Sequence, residues 1–390
     1  MTHLPASSAL HLLVIGNGPT GVGSDGRFHV DNACGQFLLD LAAGGYDVAF
    51  AQPAEPLDLE LNYYGCVLPS AKVRTIALDT RRVLGLVRSA AILLWALLGA
   101  DFVYLFYPGR LPRFVARLCS TLRKPYGVYL RGAQFDERGI DCRTFRRAAF
   151  ILVVSSRLAE RVCQIASRVE TIRPMCDISA ADATRRSFAR LPPNNLRILF
   201  VGRIEAEKGI PELVEAARLL HRRGLKFELT LVGLGDLHAE LALQRAAGLL
   251  PGIRVLGAIE DRAFLMRLYE QSDIFVLPSH HEGFPRVLFE AMIKSAVVVT
   301  TLVGGIAWLM KDQENCLAVP VGDAEAIAAA IETLHADPAL MQRLSTAALD
   351  TAIEILESNV PHAEMVQRRL TSMFCTDARV RAPRPVGRHL

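Results

Sequence analysis

The chain has 390 residues, 51% of them hydrophobic and 22% charged, with a net charge of +4. That length exceeds one ordinary core and points to two or three domains, and the composition excludes a disordered chain. The mild charge excludes little, but it is uneven: residues 1–178 hold 20 Lys and Arg against 15 Asp and Glu.

Basic residues cluster at Arg81, Arg82 and Arg88, and again at Arg110, Arg113, Arg117, Arg123 and Lys124. They suit either a solvated helix face or attraction to anionic lipid or an anionic acceptor. No recognition motif or aromatic-interleaved basic patch accompanies them, which argues against nucleic acid. The eight cysteines (34, 66, 119, 142, 163, 176, 316 and 375) show no C-x-x-C pair and no zinc-type spacing. They read as small core residues in a reducing compartment. The start of the chain lacks a basic n-region, so no secretory signal is expected.

In chain order, Leu10–Ile15 reads as a buried strand, followed by a glycine loop, Gly16 to Gly23, and a helix from about Asp31 to Ala43 that Gly44-Gly45 stop. Tyr46–Ala51 and Val73–Ala77 are the next strands. A long helix (Asp79–Leu98), a strand (Phe102–Phe106), a basic helix (Leu111–Leu122) and a strand (Tyr126–Leu130) follow. Phe150–Val154 is another strand, with a helix from Ser155 to about Ile165. Ala90 to Leu98 is the most lipid-like run, but a span needs about 20 apolar residues, so the stretch reads as a buried helix. Strand and helix alternate throughout, which predicts a parallel, doubly wound sheet.

Residues 179–195 break the rhythm and read as an interdomain linker. Alternation restarts with strands at Ile198–Val201, Glu228–Val232, Arg254–Leu256, Ile274–Leu277, Val297–Thr300 and Leu317–Val319. Helices are expected over about 209–222, 236–247, 261–271, 285–294 and 323–335, then near 338–356 and 361–373. The tail 376–390 is basic and proline-rich and is expected to be disordered. The domains expected are therefore 1–178, completed by a helix at about 361–374, and 196–360, with a ligand-binding cleft between them.

Gly16-x-Gly18-x-x-Gly21 matches the dinucleotide fingerprint literally. However, Pro19 and the loop beyond Gly23 delay the helix, and strand two ends Phe50-Ala51-Gln52 without a ribose-binding acid. A flexible loop offering N–H groups to an anion or acceptor is the better reading. Gly202-Arg203-Ile204-Glu205-Ala206-Glu207-Lys208-Gly209 places two cations around a loop before a helix, which suits a diphosphate. Asp273-Ile-Phe-Val-Leu-Pro278 leads into Ser279-His280-His281-Glu282-Gly283-Phe284-Pro285, with Glu290 on the helix beyond. Ligands of open α/β sheets bind outside the carboxyl ends of strands, so Glu282 and Glu290 are candidates for sugar and ribose hydroxyls. His280 and His281 lack a third ligand of suitable spacing, so no metal is expected.

These motifs, with Val232-Gly233-Leu234-Gly235, Val255-Leu256-Gly257 and Glu290-Ala291-Met292, resemble the GT-B glycosyltransferases of family 4, densely from about 196 to 335 and more weakly over 1–178. The resemblance implies an α/β GT-B architecture: two Rossmann-like doubly wound domains facing across a cleft. It implies a nucleotide-sugar donor, UDP- or GDP-linked, held by Gly202, Arg203, Lys208, Gly257, Ile259, His281, Glu282, Gly283, Phe284 and Glu290. Arg203 and Lys208 would hold the diphosphate, Glu282 the transferred sugar, Glu290 the ribose, and the backbone at Gly257–Ile259 the base. Glu282, Arg203 and Lys208 would be the catalytic set, in a retaining, metal-independent hexosyl transfer without cofactor. Gly16, Gly18, Gly23 and Arg131 would face the acceptor, a glycan or lipid-linked molecule. The implied setting is surface-polysaccharide assembly in the cytoplasm at the inner face of the membrane, with peripheral contact to anionic lipid.

The chain departs from that pattern at three places. Arg131 stands where many relatives carry His, Ala307-Trp308 replace a Pro-Glu pair after Gly304-Gly305, and Cys316 stands for Gly. The rival readings are a nucleotide-sugar epimerase of the same architecture and a non-catalytic binding protein.

Overall fold

The computed structural model describes residues 9–380 except 19, 58–65, 80, 82, 132–134, 155, 173–174, 177, 189–194, 247, 249–250, 260, 284 and 359. The first domain contains β1 (His11–Ile15), β2 (Thr20–Val22), β3 (Phe28–Val30), α1 (Asn32–Ala43), β4 (Asp47–Pro56), β5 (Cys66–Val67), β6 (Val73–Leu78) and α2 (Val83–Gly99). It continues with β7 (Phe102–Tyr107), α3 (Arg110–Leu122), β8 (Tyr126–Leu130), α4 (Ile140–Arg147), β9 (Phe150–Val153), α5 (Ser156–Cys163) and β10 (Val169–Thr171). The parallel strands lie in the order β6-β4-β1-β7-β8-β9-β10. The chain leaves β1 toward one edge and returns at β7 to build the other, so the topological switch lies between β1 and β7. Helices cover both faces, which is why a strand such as β7 reads as an unbroken apolar run and is buried along its whole length.

The second domain contains β11 (Leu196–Val201), α6 (Ile210–Arg222), β12 (Phe227–Val232), α7 (His238–Ala246), β13 (Ile253–Leu256) and α8 (Arg262–Gln271). β14 (Ile274–Leu277), α9 (Arg286–Ile293), β15 (Val297–Thr300), α10 (Ile306–Leu309), β16 (Leu317–Ala318) and α11 (Ala324–Ala336) complete it. Its six strands are all parallel, in the order β13-β12-β11-β14-β15-β16, with the switch between β11 and β14. α12 (Pro338–Ser358) packs on α9 and β15, and α13 (His362–Val380) crosses back to the first domain against α1. There Val366 and Leu370 enter the core beside Phe37 and Leu41, and Gln367 Nε2 donates to the Asp40 carbonyl at 3.0 Å.

Five local expectations change or sharpen. The glycine stretch is not one loop: Gly21 lies in β2, which pairs with the far end of β4, and Gly23 closes the β2–β3 hairpin turn, donating its N–H to Arg27 O. α2 begins at Val83, because Asp79 turns the chain back onto the Arg81 N–H before the helix starts. α2 is also not a buried helix, since one whole side is open to solvent. Within the expected linker, residues 179–188 are tied to the second domain. Arg186 ion-pairs with the fully buried Asp273 and donates to Ser272 O at 2.5 Å, Thr184 N donates to Ile293 O at 2.9 Å, and Phe188 is buried in the second core. At the other end α13 runs on to Val380, five residues into the expected tail; residues 381–390 lie outside the described residues.

Candidate active site

The second domain's switch point holds the site. The loop leaving β11 turns through a short 3-10 segment, Ala206–Lys208, into α6, and the loop leaving β14 faces it. Gly209 joins the two segments. Its φ is +71°, in the left-handed region that favours glycine, and a Cβ there would lie 2.2 Å from the Pro278 carbonyl oxygen. Lys208 Nζ donates to Glu282 Oε1 at 2.6 Å and Ser279 Oγ donates to the same oxygen at 2.9 Å, with both charged side chains mostly buried. The loop is locked from below, because Thr301 Oγ1 donates to Ser279 O at 2.6 Å and Gly305 N donates to Glu282 O at 3.3 Å. Gly304, at φ +51°, lies so close that a Cβ would sit 1.9 Å from the Glu282 carbonyl oxygen.

A cleft of about 470 Å³ opens between the domains. Gly202 and Arg203 of the β11 loop line it, with Gly233 and Leu234 after β12, and Ala258 and Ile259 after β13. Gly257 sits just behind, its carbonyl accepting from Gly233 N at 3.2 Å. Arg203 is tethered to Glu205, 2.8 Å from Oε1, and is otherwise exposed to the cleft. Glu290 lies on the floor and accepts from Arg262 Nη1 at 2.8 Å. His281 and Gly283 are exposed beside Glu282. His280 instead pairs with Glu212, Nε2 to Oε1 2.9 Å. Phe284 lies outside the described residues. Among the described residues no three His, Cys, Asp or Glu side chains are grouped to hold a metal ion.

The first domain closes the cleft with Asp31, Asn32 and Ala33 at the start of α1. Asp31 caps that helix, accepting from Cys34 N at 3.1 Å, and reaches across to Arg286 of α9 at 2.8 Å. Burial acts to raise the Asp31 carboxyl, but the Arg286 charge and hydrogen bond, helped by Arg131, outweigh it and hold its pKa below the usual value. Gly16 and Gly18 lie at the β1–β7 switch, where Asn17 Nδ2 donates to Pro108 O at 2.9 Å. Arg131 Nη1 donates to Asn17 Oδ1 at 3.3 Å, and its guanidinium rests over the Phe106 and Tyr129 rings. A Cβ on Gly283 would come 3.5 Å from the Arg131 carbonyl, so the Glu282 loop and the end of β8 meet across the cleft. Gly23 is not brought to this group.

Asp31, Arg262 and Arg286 were not foreseen. Asp31 was legible only as a helix start, and the two arginines open α8 and α9 without a motif of their own.

Asp31→Asn separates the interdomain ion pair from the cap, because Asn also caps well. It is expected to cost about 0.5–1 kcal/mol, as for a partly exposed pair, and Asp31→Ala about 1 kcal/mol more. A carboxyl whose folded pKa is lowered contributes stability above its unfolded value, here 3.8, and loses that contribution as pH falls through the folded value. Denaturant melts should therefore show a constant wild-type advantage over Asp31→Asn at neutral pH that vanishes only in acid. An advantage lost near neutrality would assign it to another group.

Two doubly wound domains across a cleft, with cations and carboxylates at a strand-end switch point, define a GT-B fold. Residues 195–337 match the family described as Glycosyl transferases group 1. The glycosyltransferase AmsK of amylovoran biosynthesis in Erwinia amylovora is 37% identical over 140 residues, 34% of this chain and 34% of AmsK. LpsE, a lipopolysaccharide core biosynthesis glycosyltransferase of Rhizobium meliloti, is 31% identical over 214 residues, 54% of this chain and 60% of LpsE. The chain thus spans from about a third to 60% of the length of these curated relatives. Sucrose-phosphate synthase from Thermosynechococcus elongatus superposes with a TM-score of 0.67 at 20% identity, covering 94% of this chain and all of that one. Anabaena Alr3699/HepE in complex with UDP-glucose gives 0.66 at 17% identity, over 94% of this chain and all of that one. Residues 195–337 thus match the group 1 glycosyltransferase family, and the chain as a whole has the GT-B fold.

Proposed function

We propose that the protein transfers a sugar from a nucleoside diphosphate sugar to a glycan acceptor in polysaccharide assembly, with retention at the anomeric carbon and without a metal. The observation that carries this reading is the Lys208–Glu282 pair at the β11–β14 switch, with Lys208 on the same β11 loop as Arg203, which lines the interdomain cleft with Glu290. Its context supports it: two relatives that match part of the chain are named for amylovoran and for lipopolysaccharide core biosynthesis.

In the reaction the bond between the anomeric carbon and the β-phosphate oxygen breaks, and the electron pair stays on the phosphate. Lys208 and Arg203 balance the growing charge, which fixed cations in a partly dry site do with little reorganisation. An acceptor hydroxyl attacks on the same face and its proton passes to the departing phosphate oxygen. Glu282 accepts hydrogen bonds from the sugar hydroxyls and Glu290 from the ribose, while Ile259 and the backbone at Gly257 border the base. Arg131 and the Gly16–Gly18 loop face the acceptor.

The test is to incubate the protein with a panel of UDP- and GDP-sugars, with and without acceptor glycans, and to follow nucleotide release. Release that needs acceptor and survives EDTA is expected, with an α-linked product from an α-linked donor. Neither release nor a thermal shift with any nucleotide would overturn the reading, and loss of activity in EDTA would overturn its metal-free part. Isomerisation of the donor sugar without acceptor would favour the epimerase.

A further inference from the structure

Apart from Arg88 and Ser89, α2 is apolar on every side, yet only one side of it is packed. Leu93, Ala96 and Leu97 enter the first domain's core. On the opposite side Leu84, Val87, Ala91, Leu94, Trp95 and Leu98 recur at helical spacing and face solvent, from 41% exposed for Leu94 to 82% for Leu84. A helix that is hydrophobic on every side is ordinarily buried, and a contiguous exposed apolar stripe marks a surface that meets something.

What it meets is indicated by the charge around it. α2 and α3 contain no acidic residue, and between residues 80 and 135 nine Lys and Arg stand against a single acid, Asp101. Arg88 lies at the edge of the α2 stripe, and the Arg74 guanidinium lies 5.9 Å from the Trp95 ring centroid. α3 packs on the same sheet face through Val115, Ala116 and Cys119. It lies alongside α2 closely enough that Lys124 Nζ donates to Leu98 O and Ala100 O, each at 2.8 Å. Its own outer stripe is Arg110, Phe114, Arg117 and Thr121, with Phe114 exposed. Leucines and a tryptophan rimmed by arginines suit a helix lying in the plane of an anionic lipid surface, apolar side among the acyl chains and cations at the headgroups. Among the described residues no helix is long and apolar enough to cross a membrane, so the contact is lateral.

We propose that the outer face of α2, with Phe114 and Arg117 of α3, docks the protein on an anionic membrane surface. This goes beyond the transfer reading, and it is tested without donor or acceptor, so the two can fail separately. The measurement is co-sedimentation of the full chain with vesicles of phosphatidylcholine alone and of phosphatidylcholine with phosphatidylglycerol. Binding to the anionic vesicles is expected, weakened but not abolished by salt. Leu94→Glu with Trp95→Glu should weaken it by about tenfold or more. Arg88→Glu with Arg117→Glu should weaken it by about fivefold per residue. All four side chains point outward, so unchanged melting curves will show that the variants fold. Absence of binding to either vesicle overturns the proposal, as does binding unchanged by Leu94→Glu with Trp95→Glu. Equal binding to both vesicle types overturns the anionic assignment. A dimer without vesicle affinity that the same variant splits would assign the face to a second copy of this chain and overturn the lipid.

Discussion

Lys208→Ala is expected to lower the rate of sugar transfer by more than about a hundredfold, the loss typical of removing one preorganised group that stabilises leaving-group charge. The geometry adds a complication. Lys208 is also the cation that neutralises Glu282 in a mostly buried pair, and removing one partner of a buried pair can cost about 3–5 kcal/mol in folding stability. A slow variant could therefore be slow because the loop carrying Glu282 has moved. Lys208→Ala combined with Glu282→Gln separates the two effects, because the double variant no longer buries an unbalanced carboxylate. Its rates are read against Glu282→Gln alone, since Glu282 also contacts the sugar in the proposed reaction. Stability is expected to recover while transfer stays more than about a hundredfold slow. The check is a urea melt beside single-turnover rates. Recovery of the rate with the stability would show that Lys208 acts only by holding Glu282. A near-normal rate in the single variant would remove Lys208 from the catalytic set.

The second large effect is expected at a residue that carries no side chain. Gly304→Ala should destabilise the second domain by about 2–4 kcal/mol, combining the left-handed conformation with overpacking. The atom a Cβ would meet is not the end of a flexible side chain but the Glu282 carbonyl oxygen, 1.9 Å away. Either the β15 loop or the Glu282 loop must shift, and the Lys208–Glu282 distance with it. Urea midpoints should fall, and nucleotide binding should weaken in parallel. Gly257→Ala is the control: its Cβ would meet only Leu234 Cδ2, at 3.8 Å, and its stability should be near wild type. Equal melts for the two variants would show that the β15 loop is free to yield.

How much of this was legible depends on how local each feature is. The strands of the second domain are short apolar runs bounded by glycine, proline and polar residues, and their order along the chain could be read from period and punctuation alone. The same holds for the loop carrying Arg203 and Lys208 and for the one carrying Glu282, because each follows its own strand directly. That Lys208 meets Glu282 is a different kind of fact. The residues are 74 apart in the chain and come together because β11 and β14 are neighbours in the sheet. Gly23 shows the limit from the other side. A literal glycine motif suggested one loop, but pairing of Thr20–Val22 with the end of β4 turned half of it into a hairpin.

The sequence by itself determined the two-domain alternation, the family resemblance of residues 196–335 and the residue types that meet at the donor side, because these depend on side chains close together in the chain. Only the tertiary structure decided that Asp31 reaches Arg286 across 255 residues, that Arg262 holds Glu290, that residues 179–188 are strapped to the second domain, and that α2 has an uncovered face. Each of these depends on which strand lies beside which and on which side of a helix the sheet covers. An apolar helix has the same local pattern whether it is buried on one side or on both, and only its neighbours distinguish the two.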